Sequence, residues 1–124
     1  MADVPGDLHY TSDHEWVKTD GDVITVGITR YAADALGDVV YVDHPAVGST
    51  HQKGAIVGEV ESTKSVGEIF SPASGEIVET NQAVVDAPET INADPYGEGW
   101  LFRMNTDGVD GLMDAAAYTE LIGS

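Results

Sequence analysis

V60-E-S-T-K-S-V-G-E-I-F-S-P72 decides the architecture. A55-I-V-G-E-V-E61 and S65-V-G-E-I-F70 both alternate apolar and polar residues, the pattern of half-buried strands. Only Ser62, Thr63 and Lys64 separate them, so the two strands form a hairpin with Lys64 at its tip. Such a connection faces water, because a buried turn would leave backbone polar groups unpaired. Lys64 is one of five basic residues in a chain with 22 acidic ones, and Glu59, Glu61 and Glu68 are its near neighbours.

Four roles for this lysine compete. A surface ion pair with the glutamates would contribute about 0–1 kcal/mol. A Schiff-base lysine needs a lowered pKa, and nearby carboxylates favour the charged form instead. A partner-docking lysine is compatible with the pattern. So is covalent attachment of a prosthetic arm, since small polar Ser62, Thr63 and Ser65 leave the side chain clear for an attaching enzyme.

Away from the hairpin the chain remains rich in strands. Asp20-Gly21 lies between two alternating runs, a turn signal, and Ile24, Val26 and Ile28 share one strand face. T29-R-Y-A-A-D-A-L-G37 reads as a short helix over 30–36, capped by Thr29 and ended by Gly37. D38-V-V-Y-V-D43 is a strand that stops at His44-Pro45. Residues 48–54 read as a loop, 76–80 and 100–104 as strands, and 81–97 as irregular. The tail from Asp110 to Ile122 reads as a helix capped by Asp110, with Met113, Ala117 and Leu121 as its packing stripe. Short strands with frequent turns predict a small antiparallel β sandwich or barrel with two accessory helices. G37-D-V-V-Y-V42 is echoed by G75-E-I-V-E-T80, which suggests two β units related by a quasi-two-fold.

Composition narrows the function. The 124 residues fit one domain, 1–124, able to bury a core without staples. There is no cysteine, which excludes disulfides, zinc-thiolate sites and cysteine nucleophiles from this chain. A net charge of −17 with 42% hydrophobic residues describes a folded acidic protein, not a disordered one. Nucleic acid and anionic membrane surfaces would be repelled, and basic protein partners attracted. No apolar run approaches the roughly 20 residues of a membrane span. The opening M1-A-D-V-P-G-D-L-H-Y10 has neither the basic nor the apolar region of a leader peptide. His9 and His14 fall on opposite faces of a strand-like region, and His44 and His51 lie in loops, so none shows metal-ligand spacing. No nucleophile–base pair stands out.

Taken together, S12-D-H-E-W-V17, G27-I-T29, L36-G-D-V-V40, V60-E-S-T-K-S65, S71-P-A-S-G-E76, I91-N92, P95-Y96 and G99-W-L101 resemble, in order and spacing, the H proteins of the glycine cleavage system. The resemblance covers nearly the whole chain. It implies a mainly β barrel-sandwich hybrid and a non-enzymatic carrier with lipoate in amide linkage to Lys64. It implies that Glu61 and Gly75 help the lipoate-attaching enzyme recognise the hairpin. It also implies a cleft for the aminomethyl-lipoyl arm, onto which Ser12, Glu15 and Glu68 carry over by position. Some family members have histidine where this chain has Ala35. The implied partners are the P protein (glycine decarboxylase), the T protein (aminomethyltransferase) and the L protein (dihydrolipoamide dehydrogenase). A monomer is expected, in the bacterial cytoplasm or, if a transit peptide has been removed, the mitochondrial matrix.

Two relatives of this pattern fit less well. Biotin carriers place methionine on both sides of the lysine, where this chain has Thr63 and Ser65. Lipoyl domains of 2-oxo acid dehydrogenases lack the S-D-H-E-W opening and the C-terminal helix. A different class of function also stays open: a lipoate-relay or acidic partner-binding module without glycine cleavage activity.

Overall fold

The computed structural model describes residues 4–109 and 111–123. Nine strands and four helices follow in order: β1 His9–Tyr10, β2 Glu15–Asp20, β3 Val23–Ile28, α1 Arg30–Leu36, β4 Val39–Asp43, β5 Thr50–His51, β6 Ile56–Ser62, β7 Val66–Phe70, β8 Gly75–Thr80, α2 Gln82–Asp86, α3 Thr90–Ala93, β9 Phe102–Thr106 and α4 Ala115–Ile122. They form a six-stranded antiparallel sheet, β1-β2-β3-β9-β8-β5, and a three-stranded one, β4-β6-β7. The two sheets share one apolar core, in which Val17, Ile24 and Val26 of one pack with Val42, Val60 and Ile69 of the other. This is the sandwich of the expected hybrid, and neither sheet closes on itself.

Local chemistry explains the elements that position the hairpin. Thr29 caps α1 by accepting a hydrogen bond from Ala32 N, and Gly37 ends it with φ 85°. The Asp20–Val23 pair closes the β2–β3 hairpin, so Gly21 and Asp22 occupy the turn, one residue beyond the predicted pair. Gly21 has φ 63°, which glycine adopts without steric cost.

The internal echo extends to a shared irregularity. Gly37 corresponds to Gly75, and the β4–β6 register slips between Val39 and Tyr41. The β8–β9 register slips at the matching place, between Ile77 and Glu79. The residues left over, Val40 and Val78, are both exposed. Each unit therefore carries a bulge at the same step, the device that bends and twists a strand.

Five expectations are corrected. The loop 48–54 contains β5, two residues long and too short to show a period. The irregular stretch 81–97 holds α2 and α3. Asn81, a buried polar residue, starts α2 by accepting from Ala83 N while its amide donates to the carbonyls of Glu98 and Trp100. Strand β9 begins at Phe102. The C-terminal helix is capped by Asp114; Asp110 lies outside the described residues. Its packing face is Ala115, Tyr118 and Ile122, with Tyr118 fully buried; of the expected stripe, Met113 packs in the same cluster while Ala117 and Leu121 face water. A three- and four-residue spacing fits both stripes, and the aromatic pocket around Tyr10 and Trp16 selects the one that carries Tyr118.

Candidate functional site

Strands β6 and β7 are joined by a turn that Ser62 organises. Ser62 N donates to Ser65 O (2.8 Å), and its hydroxyl donates to the same carbonyl (3.1 Å). Its Oγ accepts from Lys64 N (3.3 Å) and Ser65 N (3.0 Å). A fifth bond, Thr63 N to Asp38 O (3.2 Å), fastens the tip to the segment after α1. The turn is therefore stiff although residues 63–66 are exposed.

Lys64 stands at this tip in water and makes no ion pair among the described residues. Its stem passes over Gly37, where a Cβ would lie 3.3 Å from Lys64 Cε. Glycine is thus favoured there twice, by its positive φ and by the lysine above it. The glutamates nearby in sequence do not hold the amine. Glu61 pairs across the sheet with Tyr41 and Val66, and Glu59 with Asp43 and Glu68.

Beside the hairpin, α1 and β7 enclose a cleft of about 200 Å³ lined by Asp13, His14, Tyr31, Ala35, Leu36 and Glu68, among others. Leu36 touches Gly67 and precedes Gly37, so this end of the cleft adjoins the Lys64 stem. The residues expected to share one cleft are divided. Glu68 lines this one; Ser12 and Glu15 line a second hollow of about 260 Å³ with Lys53, Ser71 and Pro72, and Asp13 borders both. The carboxylate that joins Glu68 is Asp13, the neighbour of Ser12.

Glu15 is buried, not a surface acid. Its Oε2 accepts from Phe70 N (2.7 Å), tying β2 of the large sheet to the end of β7, and Oε1 accepts from the Thr11 hydroxyl (3.4 Å). Burial pushes its pKa up to about 8, against the opposing pull of the Phe70 N–H. Gly75 sits far along the chain in the large sheet, between β5 and β9, where a Cβ would come 2.1 Å from Asn105 O. Strand packing alone therefore requires glycine at this position.

His14, expected on a strand and facing away from His9, lies instead in the turn before β2 with φ 66°. Its ring packs on Tyr31 with centroids 4.9 Å apart. Its Nδ1 lies 2.9 Å from the hydroxyl of Tyr118 on α4. Burial lowers its pKa, and the charge of Asp13 opposes that. The Ser12-Asp13-His14 run has turn-like residues, but nothing local signals the contact with Tyr118, 104 residues away.

Among the described residues no group of acidic, histidine or cysteine side chains has metal-site geometry, and no helix is long and apolar enough to cross a membrane.

These features describe a carrier-like class: a two-sheet β domain that presents one unpaired lysine on a stiff hairpin tip beside a small, carboxylate-lined cleft. The model of the glycine cleavage H-protein family matches residues 8–124. A glycine cleavage system H protein of Beutenbergia cavernae is 54% identical over 118 residues, covering 95% of both chains. One from Thermus thermophilus is 50% identical over 98% of both. The crystal structure of a glycine cleavage system H protein from Mycobacterium marinum superposes with a TM-score of 0.93 at 48% identity, covering 98% of this chain and all of that one. The chain belongs to the glycine cleavage H-protein family, a carrier component of the glycine cleavage system.

Proposed function

We propose that Lys64 bears lipoate in amide linkage and that the chain carries it among the P, T and L proteins of glycine cleavage. The observation that carries this reading is the exposed amine of Lys64, free of carboxylate partners, on a turn stiffened by five hydrogen bonds. The residues fit the group. The amine is open to an attaching enzyme, Glu61 lies on the same hairpin for that enzyme to read, and the cleft adjoins the lysine stem. Gly75 is the second recognition position by family resemblance, although packing already accounts for it.

When bound, lipoate would supply a strained cyclic disulfide able to accept the aminomethyl group and, as the dithiol left once that group departs, to yield two electrons. The chain itself provides placement and shelter. Its hairpin fixes the origin of the arm. Asp13 and Glu68 offer carboxylates to a cationic amine in the cleft, a charge-assisted contact. Glu15 acts one layer deeper, holding β7 against β2. Ser12 lines the second hollow, which Asp13 shares with the cleft. The chain contributes no acid–base chemistry of its own, and it works in the bacterial cytoplasm as a monomer.

The test is intact-mass measurement of the chain from cells supplied with lipoate. A lipoyl increment is expected on the wild type and its loss in Lys64→Ala, with aminomethyl transfer in the reconstituted system lost as well. Transfer that survives Lys64→Ala overturns the reading. An unmodified Lys64 with partner binding retained would instead favour an acidic binding module.

A further inference from the structure

One polar network beside the cleft has no part in the reading above. It runs from Thr29 Oγ1 to Tyr118 Oη (2.8 Å) and on to His14 Nδ1 (2.9 Å). Thr29 and Tyr118 are both fully buried. Thr29 Oγ1 already accepts Ala32 N at the start of α1 (3.2 Å), so its hydroxyl proton still needs an acceptor. Among the described residues only Tyr118 Oη is in reach. If Thr29 donates to Tyr118, then Tyr118 donates to His14 Nδ1, and every proton of the network is satisfied. In the opposite direction His14 donates to Tyr118 and Tyr118 to Thr29, and the Thr29 proton is stranded in the interior. A buried donor without an acceptor is penalised, so the first direction prevails. The helix cap thereby fixes the histidine as its Nε2–H tautomer, since a neutral imidazole carries one proton.

Nε2 has no protein partner among the described residues, and it is not a buried atom. The His14 ring lines the cleft with Tyr31, Asp13 and Glu68. The residues lining the cleft therefore bring two unlike features: acceptors on the carboxylates, and on His14 an N–H that no protein group among the described residues takes up. A tethered group carrying only an amine has no use for the donor. A group that also carries a sulfur acceptor has, and a thiolate accepts most strongly.

We infer that His14, held in one tautomer by Tyr118 and Thr29, donates its Nε2–H to a sulfur of the reduced arm, with or without the amine that Asp13 and Glu68 would receive. His14 is on this account a positioning residue for the arm, and Tyr118 acts through it. The inference rests on Lys64 being the attachment site, and its test is built to fail separately from that reading.

The test is nitrogen-15 NMR of the full-length chain labelled at histidine. In the unmodified protein at neutral pH, His14 is expected to show a protonated Nε2 and an unprotonated Nδ1. A protonated Nδ1 overturns the inference whatever is found on Lys64. Tyr118→Phe keeps the ring stacked on Tyr10, centroids 4.7 Å apart, and removes only the hydroxyl. It should release the imidazole into a mixture of tautomers, and a single retained tautomer in the folded variant overturns the relay. The third comparison is between chains carrying reduced lipoyl and octanoyl groups on Lys64, the latter with no sulfur. The Nε2 resonance should shift with lipoyl relative to octanoyl, and identical resonances overturn the contact. Should Tyr118→Phe not fold, the two wild-type comparisons still decide. Absence of any acyl increment on Lys64 in cells is a failure of the attachment reading alone.

Discussion

Glu15 has a carboxyl group that burial makes hard to ionise. Its folded-state pKa, about 8, lies above the ordinary value of 4.5. Between those two pH values the folded chain keeps a proton that the unfolded chain has released. The contribution of this group to stability is therefore full below about pH 4.5 and declines as pH rises to about 8. The limiting slope for one such proton is about 1.4 kcal/mol per pH unit. Glu15→Gln removes this slope while keeping an acceptor for Phe70 N. In urea titrations at several pH values, the variant should gain on the wild type steadily between about pH 5 and 8. A difference independent of pH would show that Glu15 is ionised throughout. Lys64 is the opposite case, a charge that the fold leaves in water. Lys64→Arg should alter unfolding free energy by less than about 0.5 kcal/mol, since no ion pair depends on the amine. The same variant should lose the acyl mass increment entirely, because a guanidinium does not form the amide.

Helix α1 and the β6–β7 hairpin work as a pair of elements. The helix supplies Leu36 against Gly67 and Gly37 beneath the Lys64 stem, and Asp38 O accepts from the turn. Thr29→Val keeps the volume but removes both the cap to Ala32 N and the bond to Tyr118. Loss of a cap costs about 0.5–2 kcal/mol, and loss of the bond that Tyr118 accepts adds to it, although the Tyr118 proton still reaches His14 Nδ1. A fall of about 1–3 kcal/mol in denaturant unfolding is expected, larger than for a surface valine substitution. Gly37→Ala forces φ 85° and ψ −155°, a region open almost only to glycine, on a residue with a Cβ, at about 1–3 kcal/mol, and presses on Lys64 Cε. It should slow lipoate attachment as well as destabilise the fold, a combination measurable by timed mass spectrometry beside thermal melts. Attachment at the wild-type rate would show that the lysine stem moves aside freely.

Summed over the molecule, the net charge of −17 acts at a distance. Repulsion among carboxylates opposes compaction, and salt screens it within about a Debye length. The thermal midpoint should therefore rise with sodium chloride from low to physiological ionic strength. Association with a basic partner should slow over the same range, since steering by opposite charge is screened equally. A midpoint that falls with salt would mean that favourable pairs outweigh the repulsion.

Local signals in the chain suffice for the hairpin, the exposure of Lys64 at its tip, the cap and end of α1, and the echoed β units. Apart from the echo, which compares 37–42 with 75–80, these rest on period-two alternation, turn residues and caps, which lie within a few residues of each other. The matched bulges at Val40 and Val78 agree with that echo. Which residues meet is settled by folding alone: Asp13 instead of Ser12 in the cleft with Glu68, Glu15 drawn into the interior, and His14 joined to Tyr118. Packing also chose Tyr118 over Leu121 as the residue α4 buries. Side-chain environment depends on partners tens of residues away. Neighbouring positions in a turn such as Ser12-Asp13-His14 point in directions that no local period fixes.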